Sequence, residues 1–318
     1  MTSGSAVGGV LLAMGETMAV LVPCGGSVAD ADDFLVDAGG AESNVLAHAA
    51  ALGVPVRWHS RLGADALGER VLRQLAARRI DVSRVVRDPG HPTGVYVKDP
   101  GRGVSYYRAG SAAAYLDTAD ADAAPFDDVA LLHLSGITAA LSEPADRFLR
   151  RAALRARELG IPVSLDVNYR AALWSVDRAA PVLAELVRLA DVVFVGRDEA
   201  ETLWGTRTAE DVRALFPDVA ELVVKDGHIG ATVFSADVDA DADADADAGA
   251  DAAGWVFEPS HEVEVLDAVG AGDAFAGGYL AALLQGADPG ARLRRGHDRA
   301  ALTLAVAGDS LDERTARR

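Results

Sequence analysis

The sequence predicts an α/β fold, a mostly parallel sheet covered by helices. Two observations carry that prediction. Short runs rich in Val, Leu and Ala alternate with amphipathic stretches of helical period along most of the chain. Half of the 318 residues are hydrophobic, which is enough to fill a sizeable core. A Val- and Tyr-rich hairpin near residue 100 is expected to project from the helical layers.

Val10 to Met14 reads as a buried strand, and Gly15-Glu16 interrupts it before Thr17 to Val22 continues as a second apolar run. After Gly39-Gly40, the spacing of Asn44, Val45, Ala47, His48, Ala51 and Leu52 predicts a helix ended by Gly53 and Pro55. Val56 to Ser60 predicts a strand, Ala66 to Arg79 an amphipathic helix, and Ile80 to Val86 a further strand. Thr93 to Lys98 and Gly103 to Arg108 flank the turn Asp99-Pro100-Gly101-Arg102, the pattern of a β-hairpin.

From Val129 the alternation resumes, with strand Ala130 to Leu134, helix Glu143 to Leu159, strand Pro162 to Asp166, helix Ala180 to Leu189 and strand Val192 to Val195. Glu221 to Lys225 and Ala231 to Ser235 are two more strands. They lead into an Asp-Ala repeat over 237–253 that has almost no bulk to bury and is expected to be a disordered surface loop. Val263 to Leu266 predicts the last strand, and a helix is expected from Ala274 to Leu284.

The net charge of −18 is partly local, because seven aspartates fall between Asp237 and Asp251. An acidic chain without a dense basic cluster makes nucleic acid an unexpected partner. Cys24 is the single cysteine, so an intrachain disulfide framework and a multi-cysteine metal site are excluded, and a reducing cytoplasm fits. No apolar stretch approaches the roughly 18 residues of a membrane span, and residues 1–9 lack a basic region ahead of an apolar run. A soluble, unexported protein is expected.

The chemistry concentrates in Gly270-Ala271-Gly272-Asp273. Two glycines let backbone amides converge where a helix begins, and a helix N-terminus holds about half a positive charge. Such a loop holds an anion. Asp273 in the first turn can accept a hydroxyl proton as the oxygen attacks phosphorus, so loop and carboxylate together point to phosphoryl transfer. Taken alone, the same residues also suit a tight turn and a helix cap.

Asp267-Ala-Val-Gly-Ala-Gly-Asp273 resembles the C-terminal signature of the ribokinase-like (PfkB) carbohydrate kinases, with Ala268 where the signature has threonine. Gly39-Gly40-Ala-Glu-Ser-Asn44 and Gly63-Ala-Asp65-Ala-Leu-Gly68 are similar to two N-terminal landmarks of that family, in the expected order. The resemblance covers roughly residues 10–308 and implies a single ribokinase-like three-layer α/β/α domain. It implies a small β-sheet lid from segments 17–35 and 93–108, which in relatives often forms a dimer contact. It further implies ATP and Mg2+, and leaves a potassium requirement open.

By the same resemblance Asp273 is the catalytic base, assisted by Gly270, Ala271 and Gly272. Gly196-Arg-Asp-Glu199 occupies the family's N-x-x-E position, where Glu199 would organise magnesium indirectly, although glycine replaces the asparagine. Lys225-Asp-Gly227-His-Ile-Gly230 matches a segment near the nucleotide, so Lys225, Gly227, Gly230, Gly270 and Gly272 would bind it. Residues 296–308 would border the adenine, with His297 where a polar residue such as asparagine is expected.

For the substrate, Tyr106-Tyr107-Arg108 and Asp166-Val-Asn168-Tyr169-Arg170 each place an arginine where a strand is expected to feed the cleft. A pair of arginines suits a carboxylate, because each guanidinium can donate two parallel hydrogen bonds. Both segments resemble those of 2-keto-3-deoxygluconate kinases, and fructokinases also carry the second. That likeness implies a sugar-acid substrate bound by Gly39, Gly40, Asn44, Tyr96, Tyr107, Arg108 and Arg170. A neutral sugar, as in fructokinases or ribokinases, is the alternative.

Overall fold

The structure is a computed structural model that describes residues 9–99, 101–238 and 254–305. Residues 239–253 of the expected acidic loop and 306–308 of the expected domain lie outside the described residues. Eight strands form the main sheet, in the order Trp255–Pro259, Gly230–Ser235, Glu221–Asp226, Val192–Gly196, Val163–Asp166, Val129–Ser135, Val10–Met14 and Val56–His59. The last six run parallel and the first two are antiparallel additions at one edge.

Strands buried on both faces read as continuous apolar runs, which is why the sequence reveals them. Leu12, Leu132 and Leu165 pack on one face with Phe148 and Leu183 from helices Glu143–Glu158 and Val176–Val187. Leu11, Leu131 and Phe194 pack on the other with Val45 and Phe275 from helices Ala41–Ala51 and Ala271–Leu284. The three layers and the mostly parallel sheet are as expected.

Four strands make a second, smaller sheet, in the order Phe34–Gly39, Met18–Pro23, Val95–Asp99, Gly103–Tyr107. Met18, Val20 and Tyr96 give it a small apolar cluster of its own. Helix Ala66–Ala77 and the residue that follows it tether one edge: Arg70 and Gln74 donate to the Val36 carbonyl, and Arg78 donates to the Ala38 carbonyl and Asp37 carboxylate. The lid therefore includes the whole of Phe34–Gly39, four residues past the expected boundary at 35.

Two expected strands differ. Val263 to Leu266 is irregular, with Val265 and Leu266 more than half exposed. The final strand is Trp255–Pro259, so the later segment leaves the sheet and crosses to the C-terminal helix Pro289–Leu304, where the Leu266 amide donates to the Leu304 carbonyl. Of Ile80 to Val86, only Val86 enters a strand, Val86–Asp88, which pairs with Arg61–Gly63 away from the main sheet. The helix expected from Ala180 begins earlier, at Val176, and carries Pro181 inside it.

Helix Ala271–Leu284 is wedged between helices Ala41–Ala51 and Pro289–Leu304. A Cβ on Gly277 would lie 2.5 Å from the Val45 carbonyl oxygen, and one on Gly278 would lie 2.4 Å from that of Arg295. These two glycines permit backbone contact on both sides. The first contact brings Asn44 beside the helix start.

Candidate active site

Gly270 precedes the helix with φ +84°, a left-handed conformation that glycine adopts without cost. The helix begins at Ala271 with no side-chain cap, and Asp273 lies in its first turn. Asn44 Nδ2 donates to Asp273 Oδ2 at 2.9 Å, joining residues 229 positions apart. Burial pushes the Asp273 carboxyl up to about 7; the Asn44 bond opposes this, Asp166 adds to it, and Arg170 and Lys225 oppose it. Its pKa is thus set near neutrality, where a general base works best.

Behind the glycine loop sits a charged cluster. Lys225 Nζ bonds Asp166 Oδ2 at 2.8 Å, and a Cβ on Gly272 would lie 3.5 Å from the same nitrogen. Burial works against the Lys225 ammonium, but Asp166, Glu199 and Asp273 outweigh it and raise its pKa. Glu199 accepts from the Gly196 amide at 2.9 Å, and its Oε1 is 3.8 Å from Arg170. Burial, then the charge of Asp166, raises the Glu199 pKa. Asp166 Oδ1 is buried without a hydrogen-bond partner among the described residues.

A cleft opens between this body and the lid. Gly40, Asn44, Asn168, Arg170, Gly270 and Asp273 line it from below, and Tyr96, Tyr106 and Arg108 from above. Gly40 leaves no room for a side chain, since a Cβ there would be 2.2 Å from the Glu16 carbonyl oxygen. Tyr107 does not line the cleft. Alternation along Gly103–Tyr107 turns it to the opposite face, where it is 67% exposed, and Tyr106 takes the inner position. Gly39 lies outside the lining too, buried where the lid strand pairs with Met18.

Gly227 and Gly230 have φ of +53° and +152° in the turn between Glu221–Asp226 and Gly230–Ser235. That turn requires glycine whether or not a ligand approaches. His297 is buried, with Nε2 3.1 Å from the Glu258 carbonyl oxygen and its ring edge-on to Phe275.

Two carboxylates escape the sequence reading. Glu16, read there only as a strand interruption, is buried in an ion pair with Arg108 and accepts from Ser111 Oγ at 2.8 Å. Arg108 Nε is buried with no hydrogen-bond partner among the described residues. Glu42 lies fully buried under Gly15, accepts from Thr138 Oγ1 at 2.8 Å, and is pushed up to about 8 by burial. The available signal was position: each lies within two residues of a glycine, Gly15 or Gly40.

Among the described residues no cluster of three or more His, Cys, Asp or Glu is arranged to hold a metal ion, and no helix is long and apolar enough to cross a membrane. Residues 11–316 match the pfkB family of carbohydrate kinases. The chain is 33% identical over 305 residues to the 2-dehydro-3-deoxygluconokinase of Bacillus subtilis, covering 93% of this chain and 89% of that one. It is 30% identical over 286 residues to fructokinase-1 of rice, Oryza sativa, covering 87% and 83%. Among solved structures, a PfkB protein from Polaromonas superposes with a TM-score of 0.82 at 30% identity, covering 98% of this chain and all of the other.

Proposed function

Because the chain belongs to the pfkB family of carbohydrate kinases, we propose that it moves the γ-phosphoryl group of ATP to the terminal hydroxyl of a sugar acid. The substrate that fits best is 2-keto-3-deoxygluconate, giving its 6-phosphate. The observation that carries this reading is that Arg108 and Arg170 line the same cleft as Asp273. The partnerless Nε of Arg108 is a donor awaiting an acceptor, and a carboxylate meets that need. The resemblance to a 2-dehydro-3-deoxygluconokinase supports it.

In the reaction Asp273 takes the hydroxyl proton, the freed oxygen bonds to the γ-phosphorus, and the bond from that phosphorus to the β–γ bridging oxygen breaks to release ADP. The amides around Gly270 to Asp273, at a helix start that no side chain caps, stabilise charge on the group in flight. Lys225, beside Gly272, adds a fixed positive charge. Tyr96 and Tyr106 wall the sugar, while Gly40 and Asn44 meet its hydroxyls. The orphaned Asp166 Oδ1 and the Glu199 carboxylate suit a hydrated divalent cation, so they would hold Mg2+ through water, and the ion supplies charge neutralisation at the phosphates. Gly227 and Gly230 shape the turn that borders the nucleotide.

A second reading, phosphorylation of a neutral sugar such as fructose, draws on the Glu16 carboxylate, which already neutralises Arg108. It also draws on the resemblance to the rice fructokinase. A panel of 2-keto-3-deoxygluconate, fructose, ribose and adenosine, read by ADP release with wild type and Arg108→Ala, separates the two. Preference for the keto acid that disappears with Arg108 supports the first, and a neutral-sugar preference indifferent to Arg108 supports the second. A second copy of the chain over the outer face of the lid, where Tyr107 is exposed, is the proposed oligomer contact. A cytoplasmic location fits the lone Cys24.

A further inference from the structure

The lid is held unequally at its two sides. Its Phe34–Gly39 edge is fixed to the body by Arg70, Gln74 and Arg78, as described above. Two strands away, on Val95–Asp99, Lys98 reaches back across the cleft, and its Nζ lies 2.9 Å from Asp267 Oδ2. Only 9% of the Lys98 side chain and 24% of the Asp267 side chain are exposed. Asp267 uses its other oxygen to accept from the Val269 amide at 2.9 Å, and this holds the turn into Gly270. One carboxylate therefore touches both walls of the cleft.

The strand carrying Lys98 also carries Tyr96, two residues away on the same face, and Tyr96 lines the cleft. The turn held by Asp267 carries Val269 and Gly270, which line it from the opposite side. At the hairpin tip, Asp99 accepts from the Val28 amide, so the outer lid is braced internally.

We infer that Lys98 and Asp267 are positioning residues that form a latch closing the lid over the catalytic loop, with the Phe34–Gly39 edge as its hinge. Sugar enters and product leaves when the pair opens. While it is closed, water is kept from the γ-phosphorus and the lid side chains are set against the substrate. The inference rests on the kinase reaction of the proposed function and not on which sugar is used.

The test uses the full chain and whichever sugar the wild-type enzyme phosphorylates best, so a wrong substrate assignment leaves it intact. Lys98→Met raises the sugar KM by about fivefold, the scale of one partly exposed ion pair, with kcat within about twofold. It also raises ATP hydrolysis in the absence of sugar, where water takes the place of the hydroxyl and yields ADP and phosphate. Lys98→Arg restores both. Asp267→Asn, which keeps an acceptor for the Val269 amide, adds nothing to the KM once Lys98 is gone. An unchanged KM in Lys98→Met, or independent effects that multiply in the double variant, overturns the latch. So does a KM rise that follows a lowered Tm and is not restored by arginine.

Discussion

A base must be ionised before it can take a proton, and burial makes ionised Asp273 costly. The two demands meet at a pKa of about 7, against an ordinary 3.8. Below that value the proton-accepting form is lost, so kcat/KM of the free enzyme falls about tenfold per pH unit. A profile flat to pH 5 would exclude Asp273 as the base. Asp273→Asn keeps an acceptor for Asn44 and lowers kcat at least about 100-fold. Activity within tenfold of wild type would sink the assignment. The same substitution removes a buried charge. A carboxyl whose folded pKa is raised costs nothing below its unfolded value and weakens the fold increasingly as pH climbs to the folded one. Asp273→Asn should therefore raise stability by about 1–3 kcal/mol at pH 8 and by less at pH 5, measured by urea unfolding.

At the scale of elements, the proposed base is positioned by the contact of two helices. Gly277→Ala improves helix propensity by about 1 kcal/mol, yet its Cβ would lie 2.5 Å from the Val45 carbonyl oxygen and must push helix Ala41–Ala51 away. Overpacking against backbone outweighs propensity, so a net loss of about 1–2 kcal/mol is expected. Moving Asn44 off Asp273 removes a bond that lowers the pKa of the base, so the acid limb of the rate profile should shift upward. If Gly277→Ala were stabilising with an unmoved profile, the helix contact would not be what sets the site.

This is also the scale at which the sequence stops being legible. The glycine loop and Asp273 are contiguous, so local pattern reveals them, but Asn44 meets Asp273 across 229 positions and only the family resemblance placed both in one site. Period two along the hairpin shows that Tyr106 and Tyr107 face opposite ways without saying which faces inward; pairing of the lid strands decides it. Glu16 and Glu42 were invisible because a lone charge ordinarily marks surface, and only tertiary packing buries them. Val263 to Leu266 alternates like a strand, but the chain has left the sheet before reaching it.

Across the whole molecule, buried acids and buried histidines oppose one another. Glu42 and Asp273 are raised to about 8 and about 7, so each weakens the fold as pH rises from the ordinary carboxylate range to those values. His48 and His133 are lowered by burial to about 3 and about 4, so each weakens the fold as pH falls below 6.5. Between pH 4.5 and 6.5 the unfolded chain binds two more protons at the histidines and two fewer at the acids, and the slopes cancel. Above 6.5 the histidines fall silent and the acids alone remain. These four groups predict a plateau, then a decline from pH 6.5 to 8 of at most about 1.4 kcal/mol per pH unit for each acid. Glu42→Gln removes one of the two acids without touching the base, so urea unfolding at pH 6 and 8 should show a smaller decline than in wild type. An equal decline would mean that Glu42 is already ionised in the fold. The expected decline covers the range in which Asp273, as the proposed base, would become competent, so activity should rise over the same pH interval in which stability falls.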